Sequence, residues 1–332
     1  MPEIQVWDQH KYLFHYTTQA GLEGILNSQC LHATHYAHLN DEAEITALQP
    51  KLLELAIQSA RETLEMLARK SSEIQKQMDL DGGMDQIAEH EGRTLVDKLY
   101  RLTFGGEDKK AATEPFVVSF CAHDENAYEF KHGLLSLWRA YGKNIGFALV
   151  FDAKKLGELF LEQGSINWTS GGHFSDVVYD GDSEKFEAEF SDLLKCLSKF
   201  YPRFISGDFS AISELYVPFT TSTSRFKHRA FREENEVRIV FCPCDNDDVL
   251  NMKRRDPARY EEMKSRSILT REFKDGFVPY IKLLEREGRR LPITRIIVGP
   301  HVGRLESATK IARFLQFKGL DIPIEISQTP LR

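Results

Sequence analysis

The chain has 332 residues, 42% of them hydrophobic, enough to bury a sizeable core in one large domain or two. Its 43 Lys and Arg stand against 50 Asp and Glu, a formal charge of −7 that supplies no overall field for gathering nucleic acid. Five cysteines, an odd number without framework spacing, point to a reducing compartment in which Cys30, Cys121 and Cys196 are buried or incidental thiols. The close pair Cys242-Pro243-Cys244 has no second pair or nearby histidine at ligand spacing, so no metal site is expected. The residues from Met1 to Gln9 lack a basic start and apolar middle, and no apolar run approaches membrane-spanning length. The expected location is the cytoplasm, with no membrane partner.

The chain opens on Tyr12-Leu13-Phe14-His15-Tyr16-Thr17-Thr18, which reads as a strand with Leu13, His15 and Thr17 on one face and Phe14 and Tyr16 on the other. Thr18 caps a short helix whose apolar positions are Leu22, Ile25 and Leu26. Asn40-Asp41-Glu42 then starts a long helical stretch towards Gln77, interrupted at Pro50, and Gln86 to Leu102 reads as a second helix. We read 41–102 as a helical insertion, with the charge-rich segment from Gly105 to Glu114 as a loop.

From Pro115 the period changes. Phe116 to Cys121 and Ile145 to Phe151 are predicted strands, joined by a loop and a short helix that carries Trp138 and Tyr141. Ala153 to Leu161 is a predicted helix, Phe174 to Tyr179 a strand, and Ser183 to Phe204 one amphipathic helix with Phe186, Phe190, Leu193, Leu194, Leu197 and Phe200 inward. In Glu234-Asn235-Glu236-Val237-Arg238-Ile239-Val240-Phe241, alternation sends Val237, Ile239 and Phe241 to a core. It places Glu234, Glu236 and Arg238 together on the opposite face. That face is either an exposed ion-pair ladder or the lining of a cleft in which arginine holds a carboxylate charged and oriented. The tail reads as strands Gly276 to Leu283 and Ile293 to Val298, a helix from Gly303, and a last strand Ile322 to Ser327. The turn Gly299-Pro300-His301-Val302-Gly303 is more simply a strand-to-helix turn than a phosphate loop. The fold expected is α+β, a mixed β-sheet core with flanking helices in a single domain over 1–332.

Four stretches carry a family resemblance: Phe14-His15-Tyr16-Thr17, Leu137-Trp138-Arg139-Ala140-Tyr141-Gly142, Glu234-Asn235-Glu236-Val237-Arg238 and Ile296-Ile297-Val298-Gly299-Pro300. With Asn40-Asp41 and the ending Ser327 to Arg332, their order resembles the bacterial domain-of-unknown-function family 2971 over nearly the whole chain. More distantly, the histidine-threonine strand before a short helix resembles the opening of ADP-ribosyltransferase-fold proteins. That resemblance implies a nucleotide ligand, NAD as co-substrate, and ADP-ribosyl transfer to a target the sequence does not identify, a chemistry that suits bacterial defence or a toxin. His15 and Thr17 would hold the adenosine-side ribose, Tyr141 would pack on nicotinamide, Glu236 would be the catalytic carboxylate at the nicotinamide ribose, and Arg238 beside it is expected among the cofactor-binding residues. Ser222-Thr223-Ser224 with Glu234-Asn235-Glu236 also resembles the arginine-triad branch, but the two elements lie too close and His15 stands where that branch has arginine. The alternative function is a non-catalytic nucleotide-binding or interaction module using the same residues.

Overall fold

The structure, a computed structural model, describes residues 5–39, 44–104, 115–142, 145–166, 169–243, 246–262, 267–273, 276–285 and 288–330. It is an α+β fold, as the pattern predicts. After a short helix α1 (Val6–Gln9), the opening apolar run forms β1 (Tyr12–Thr18), and the Thr18 hydroxyl accepts from the Gly21 amide at 3.3 Å to start α2 (Gln19–Ser28). A short alternating segment follows as β2 (Leu31–His35), burying Leu31 and Ala33 and turning His32 and Thr34 the other way.

The helical stretch resolves into α3 (Gln49–Lys70), α4 (Ser72–Leu80) and α5 (Met84–Phe104). Pro50 starts α3 instead of interrupting it, because proline is tolerated in a first turn where its missing amide has no helical partner. The Asn40-Asp41 cap and the loop from Gly105 to Glu114 lie outside the described residues. The apolar positions Leu52, Ala56, Leu95 and Leu99 pack with Leu193, Leu197, Phe200 and Phe219 from later in the chain. The helices α3 and α5 therefore share a core with a later helical segment, to which Ser59 also donates through the Leu197 carbonyl at 2.7 Å.

Next come β3 (Phe116–Cys121), α6 (Tyr128–His132), α7 (Leu135–Tyr141), β4 (Gly146–Asp152), α8 (Ala153–Ile166), β5 (Thr169–Asp176) and β6 (Val178–Tyr179). The single amphipathic helix expected from Ser183 to Phe204 is two, α9 (Ser183–Glu189) and α10 (Ser191–Ile205), parted at Phe190, whose ψ of 25° leaves the helical basin. Then follow α11 (Ser210–Arg225), β7 (Phe226–Lys227), β8 (Glu236–Pro243), α12 (Asn246–Arg255), α13 (Pro257–Glu262), β9 (Leu269–Phe273), β10 (Gly276–Leu283), β11 (Ile293–Val298), α14 (Arg304–Phe317) and β12 (Ile324–Ile326).

The main sheet runs β12-β11-β4-β1-β3-β2-β10-β9, with β8 on β3 and β5 on β8; among the described residues its pairs are antiparallel except β11 with β12. One face buries Leu13, Val118, Phe120, Val237, Ile239 and Phe241 under α2, α8 and α14. The other face is covered in two pieces. At β1, β4 and β11, α7 contributes Leu137 and Trp138 over Phe14, Tyr16, Val150 and Ile297. At β3 and β8, Val117, Val240 and Cys242 meet Tyr36, Ile45 and Phe104 at the edge of the helical unit. Between the two covers the sheet face stays open.

Candidate functional site

The site begins as a fault in the sheet. Along one edge β3 pairs with β8 from Phe116 through Cys121, but the opposite edge is shared: β2 takes Phe116 and Val117, and β1 takes only Cys121. Among the described residues no strand pairs with Val118 to Phe120 on that edge. His15 fills the opening, its Nδ1 2.9 Å from the Ser119 carbonyl oxygen. A carbonyl oxygen can only accept, so Nδ1 carries the proton and Nε2 is left as an acceptor. Burial pushes the imidazole pKa below its usual value against the opposing effect of that bond, which keeps the ring neutral.

The opening leads into a cleft of about 260 Å³ lined by His15, Tyr141, Glu234, Glu236 and Arg238, with Glu44 and Ser119 among its further walls. Four of the five residues singled out from sequence thus meet around one space. Thr17 does not line it. Its hydroxyl lies over α2, filling the space that a Cβ on Gly21 would take.

The floor is a buried ion cluster. The Arg238 guanidinium donates to both Glu236 oxygens, from Nε at 2.7 Å and Nη2 at 3.0 Å, and Nη2 also reaches Glu44 at 2.8 Å. Lys227 Nζ lies 2.9 Å from Glu236, 2.8 Å from Glu234 and 3.2 Å from Glu44. The Ser119 hydroxyl completes the set on Glu236. Two donations from Arg238, one from Lys227 and one from Ser119 occupy the roughly four lone-pair sites of a carboxylate. Burial alone would raise the Glu236 pKa, but Arg238 and Lys227 more than reverse that and hold it at about 2. For Glu234 burial prevails over Lys227, and its carboxyl is pushed up. Three carboxylates against two cations leave one excess negative charge beneath the cleft.

The exposed-ladder alternative for the β8 face is set aside by this burial, since the Arg238 side chain is 2% exposed and that of Glu236 4%. Strand alternation does not extend to Glu234, which ends a 3-10 turn. Asn235 then takes a left-handed φ of 41°, a conformation asparagine adopts more readily than most residues, and clamps the corner by donating to the Ala122 carbonyl at 3.0 Å. Glu44 and Lys227 are cluster members that the sequence reading missed. Lys227 comes from a two-residue strand and Glu44 from the approach to α3, too little pattern for periodicity to register. The sequence reading also missed the rim, where His32, Thr34, Arg271 and Val278 close the cleft on the β2, β9 and β10 side. The one signal for it was the alternation of apolar Leu31 and Ala33 with polar His32 and Thr34.

Several motif residues prove architectural. Trp138 is buried against Gly146 and Gly299, where a Cβ on Gly299 would come within 2.9 Å of the indole, and its Nε1 donates to the His132 carbonyl at 2.9 Å. Ser327 donates to the same carbonyl at 2.6 Å, so the chain's closing motif ties down the approach to α7. Tyr16 accepts from the Leu134 amide, and its hydroxyl also lies 2.8 Å from His123 Nε2. In the Gly299 to Gly303 turn the His301 nitrogens lie 3.0 Å from the Gly299 carbonyl oxygen and the Ser307 hydroxyl, bracing the start of α14. Ser222-Thr223-Ser224 lies in the last turn of α11 and not on a strand, and the Ser224 carbonyl accepts from Arg238 at 3.0 Å.

The family described as "Protein of unknown function (DUF2971)" matches residues 137–239. That is less than half the chain and narrower than the near-complete resemblance carried by the motifs. The matched segment includes Tyr141, Lys227, Glu234, Glu236 and Arg238 but stops short of β1 and β2 on one side and of β9 and β10 on the other. No curated protein and no solved structure matches the chain. Among the described residues, no helix is long and apolar enough to cross a membrane, and no group of three or more His, Cys, Asp or Glu side chains is placed to hold a metal ion.

Proposed function

We propose that the cleft binds a nucleotide, NAD as co-substrate, and that the chain transfers its ADP-ribosyl group to an acceptor. The observation that carries this reading is the convergence of His15, Tyr141, Glu236 and Arg238, distant in sequence, on one cleft at the fault in the sheet. In such a transfer the bond between ribose C1′ and the nicotinamide nitrogen breaks, and its electron pair leaves with nicotinamide. Positive charge develops on the sugar, the acceptor's nucleophile bonds to C1′, and the acceptor's proton passes to a base or to water. A ribose hydroxyl donating to His15 Nε2 would set the sugar's orientation, and the Tyr141 ring offers an apolar face for nicotinamide. Glu236, ionised at neutral pH, contributes fixed negative charge under the developing cation and is too acidic to collect the proton. The excess charge of the floor works in the same direction.

A second reading, binding without transfer, is favoured by the saturation of Glu236, since a ribose hydroxyl would have to displace the Ser119 donor to reach it. Calorimetry of the full chain with NAD, together with release of nicotinamide in the presence of cell lysate, separates the two. Transfer predicts both binding and release, with Glu236→Gln lowering release by roughly 10²–10³. Binding with no release supports the module, and no NAD binding at all overturns both readings for this ligand.

A further inference from the structure

We infer that the rim built by β2, β10 and β9 is a phosphate subsite, with Arg271 as its recognition group. The inference rests on the nucleotide reading of the cleft and assigns the ligand's anionic part to a place. The registers Tyr280↔Thr34, Lys282↔His32 and Val278↔Arg271 put these side chains on one face of three adjacent strands. Arg271 Nη2 donates to the Thr34 hydroxyl at 2.9 Å, and its guanidinium lies 5.7 Å from the centre of the Tyr280 ring. His32 stacks on the same ring with centroids 4.3 Å apart. The arginine is thus positioned by a hydroxyl and an aromatic ring, and one of its five N–H donors is used by that bond.

What separates Arg271 from the other cations of the cleft is its charge balance. Arg238 and Lys227 are neutralised by Glu44, Glu234 and Glu236. Among the described residues no carboxylate pairs with Arg271. A planar guanidinium that is oriented but not neutralised matches the paired oxygens of a phosphate. Burial, Arg271 and Lys282 keep His32 neutral by pushing its pKa down, so it adds a hydrogen-bonding ring without competing for the anion. Among the described residues the floor carries an excess negative charge and the rim an excess positive one, which gives the cleft a direction. A nucleotide would enter with its sugar towards Glu236 and its phosphates held at the rim.

The test uses the full chain and three probes, inorganic pyrophosphate, ADP-ribose and nicotinamide riboside, titrated by calorimetry into the wild type, Arg271→Gln and Arg271→Lys. Arg271 is exposed on a sheet-edge strand, and thermal melts confirm that the variants are folded. Pyrophosphate should bind the wild type, more weakly as salt is raised, and lose roughly ten- to a hundredfold in affinity in Arg271→Gln, with part of it restored in Arg271→Lys. ADP-ribose should lose by a similar factor, and nicotinamide riboside, which carries no phosphate, should bind all three proteins equally. Pyrophosphate bound equally well by wild type and Arg271→Gln, or not bound by the wild type, overturns the subsite. If pyrophosphate binds through Arg271 but NAD is neither bound nor cleaved, the subsite stands and the NAD reading falls.

Discussion

The floor and the rim of the cleft both carry arginine, yet they treat its charge in opposite ways. At the floor, Arg238 lies among carboxylates, both Glu236 oxygens are taken, and Arg238, Lys227, Glu236 and Glu44 are buried. At the rim, Arg271 rests on a ring and a hydroxyl and faces solvent. Charge that the protein neutralises for itself holds the architecture, because removing either partner strands the other in a medium that cannot solvate it. Charge that is oriented and left unneutralised is available to a ligand. The comparison divides the cleft's ionisable groups between folding and recognition before any ligand is considered.

Breaking the floor should have the largest effect. Arg238→Ala removes the guanidinium from Glu236 and Glu44 and leaves buried carboxylates short of a cation, at a cost of about 3–5 kcal/mol. Chemical denaturation of wild type and variant measures it directly. A loss under about 1 kcal/mol would mean that the cluster behaves as exposed pairs do, and the division between floor and rim would fail.

The pH dependence comes next, with its sign set by depressed folded-state values. His123, held at about 4 by burial against the usual 6.5, contributes stability above pH 6.5 that is lost as pH falls towards 4. His15 and His173, also lowered mainly by burial, lose theirs in the same direction below 6.5. Glu236, near 2 against 4.5, contributes stability that is complete above 4.5 and lost only as pH falls through 2. Melting temperature should therefore fall in two stages, the first from the histidines and the second from the floor. In His123→Gln the first stage should shrink and the second remain. A single stage confined below pH 4.5 would show that the neutral histidines do not limit acid stability.

Much of the fold was legible because long apolar runs are unambiguous. β1, β3, β10 and β11 match their predicted bounds, and the core-facing set Val237, Ile239 and Phe241 was read from alternation alone. The break at Phe190 was hidden because apolar spacing continues across it while the backbone does not. The cleft is another matter. It exists because β3 is shared between β1 and β2, a pairing decision made between distant segments, and no local pattern reports which edge of a strand will lack a partner. Sequence could nominate His15 and Glu236 as chemically capable but could not assign Lys227, Glu44 or Arg271, whose roles arise only from neighbours brought in by the fold. Thr17 shows the converse, since strand alternation put it on the His15 face and the start of α2 then covered it.

The smallest effect expected is at Glu234, which lies between the two regimes. It lines the cleft like a rim residue but contacts Lys227 at 2.8 Å like a floor residue, and burial raises its pKa where that of Glu236 is lowered. Glu234→Gln keeps an oxygen that can accept from Lys227 and removes the cluster's excess negative charge, so repulsion relieved from Glu236 and Glu44 offsets attraction lost to Lys227. The net change should be about 1 kcal/mol or less, the scale of one neutral hydrogen bond, and the melting temperature should move by no more than a few degrees. Comparing this variant with Arg238→Ala by denaturation ranks the two residues. A loss at Glu234 as large as that at Arg238 would mean that all three carboxylates are needed to hold Arg238 and Lys227, and that the floor extends to the cleft's surface.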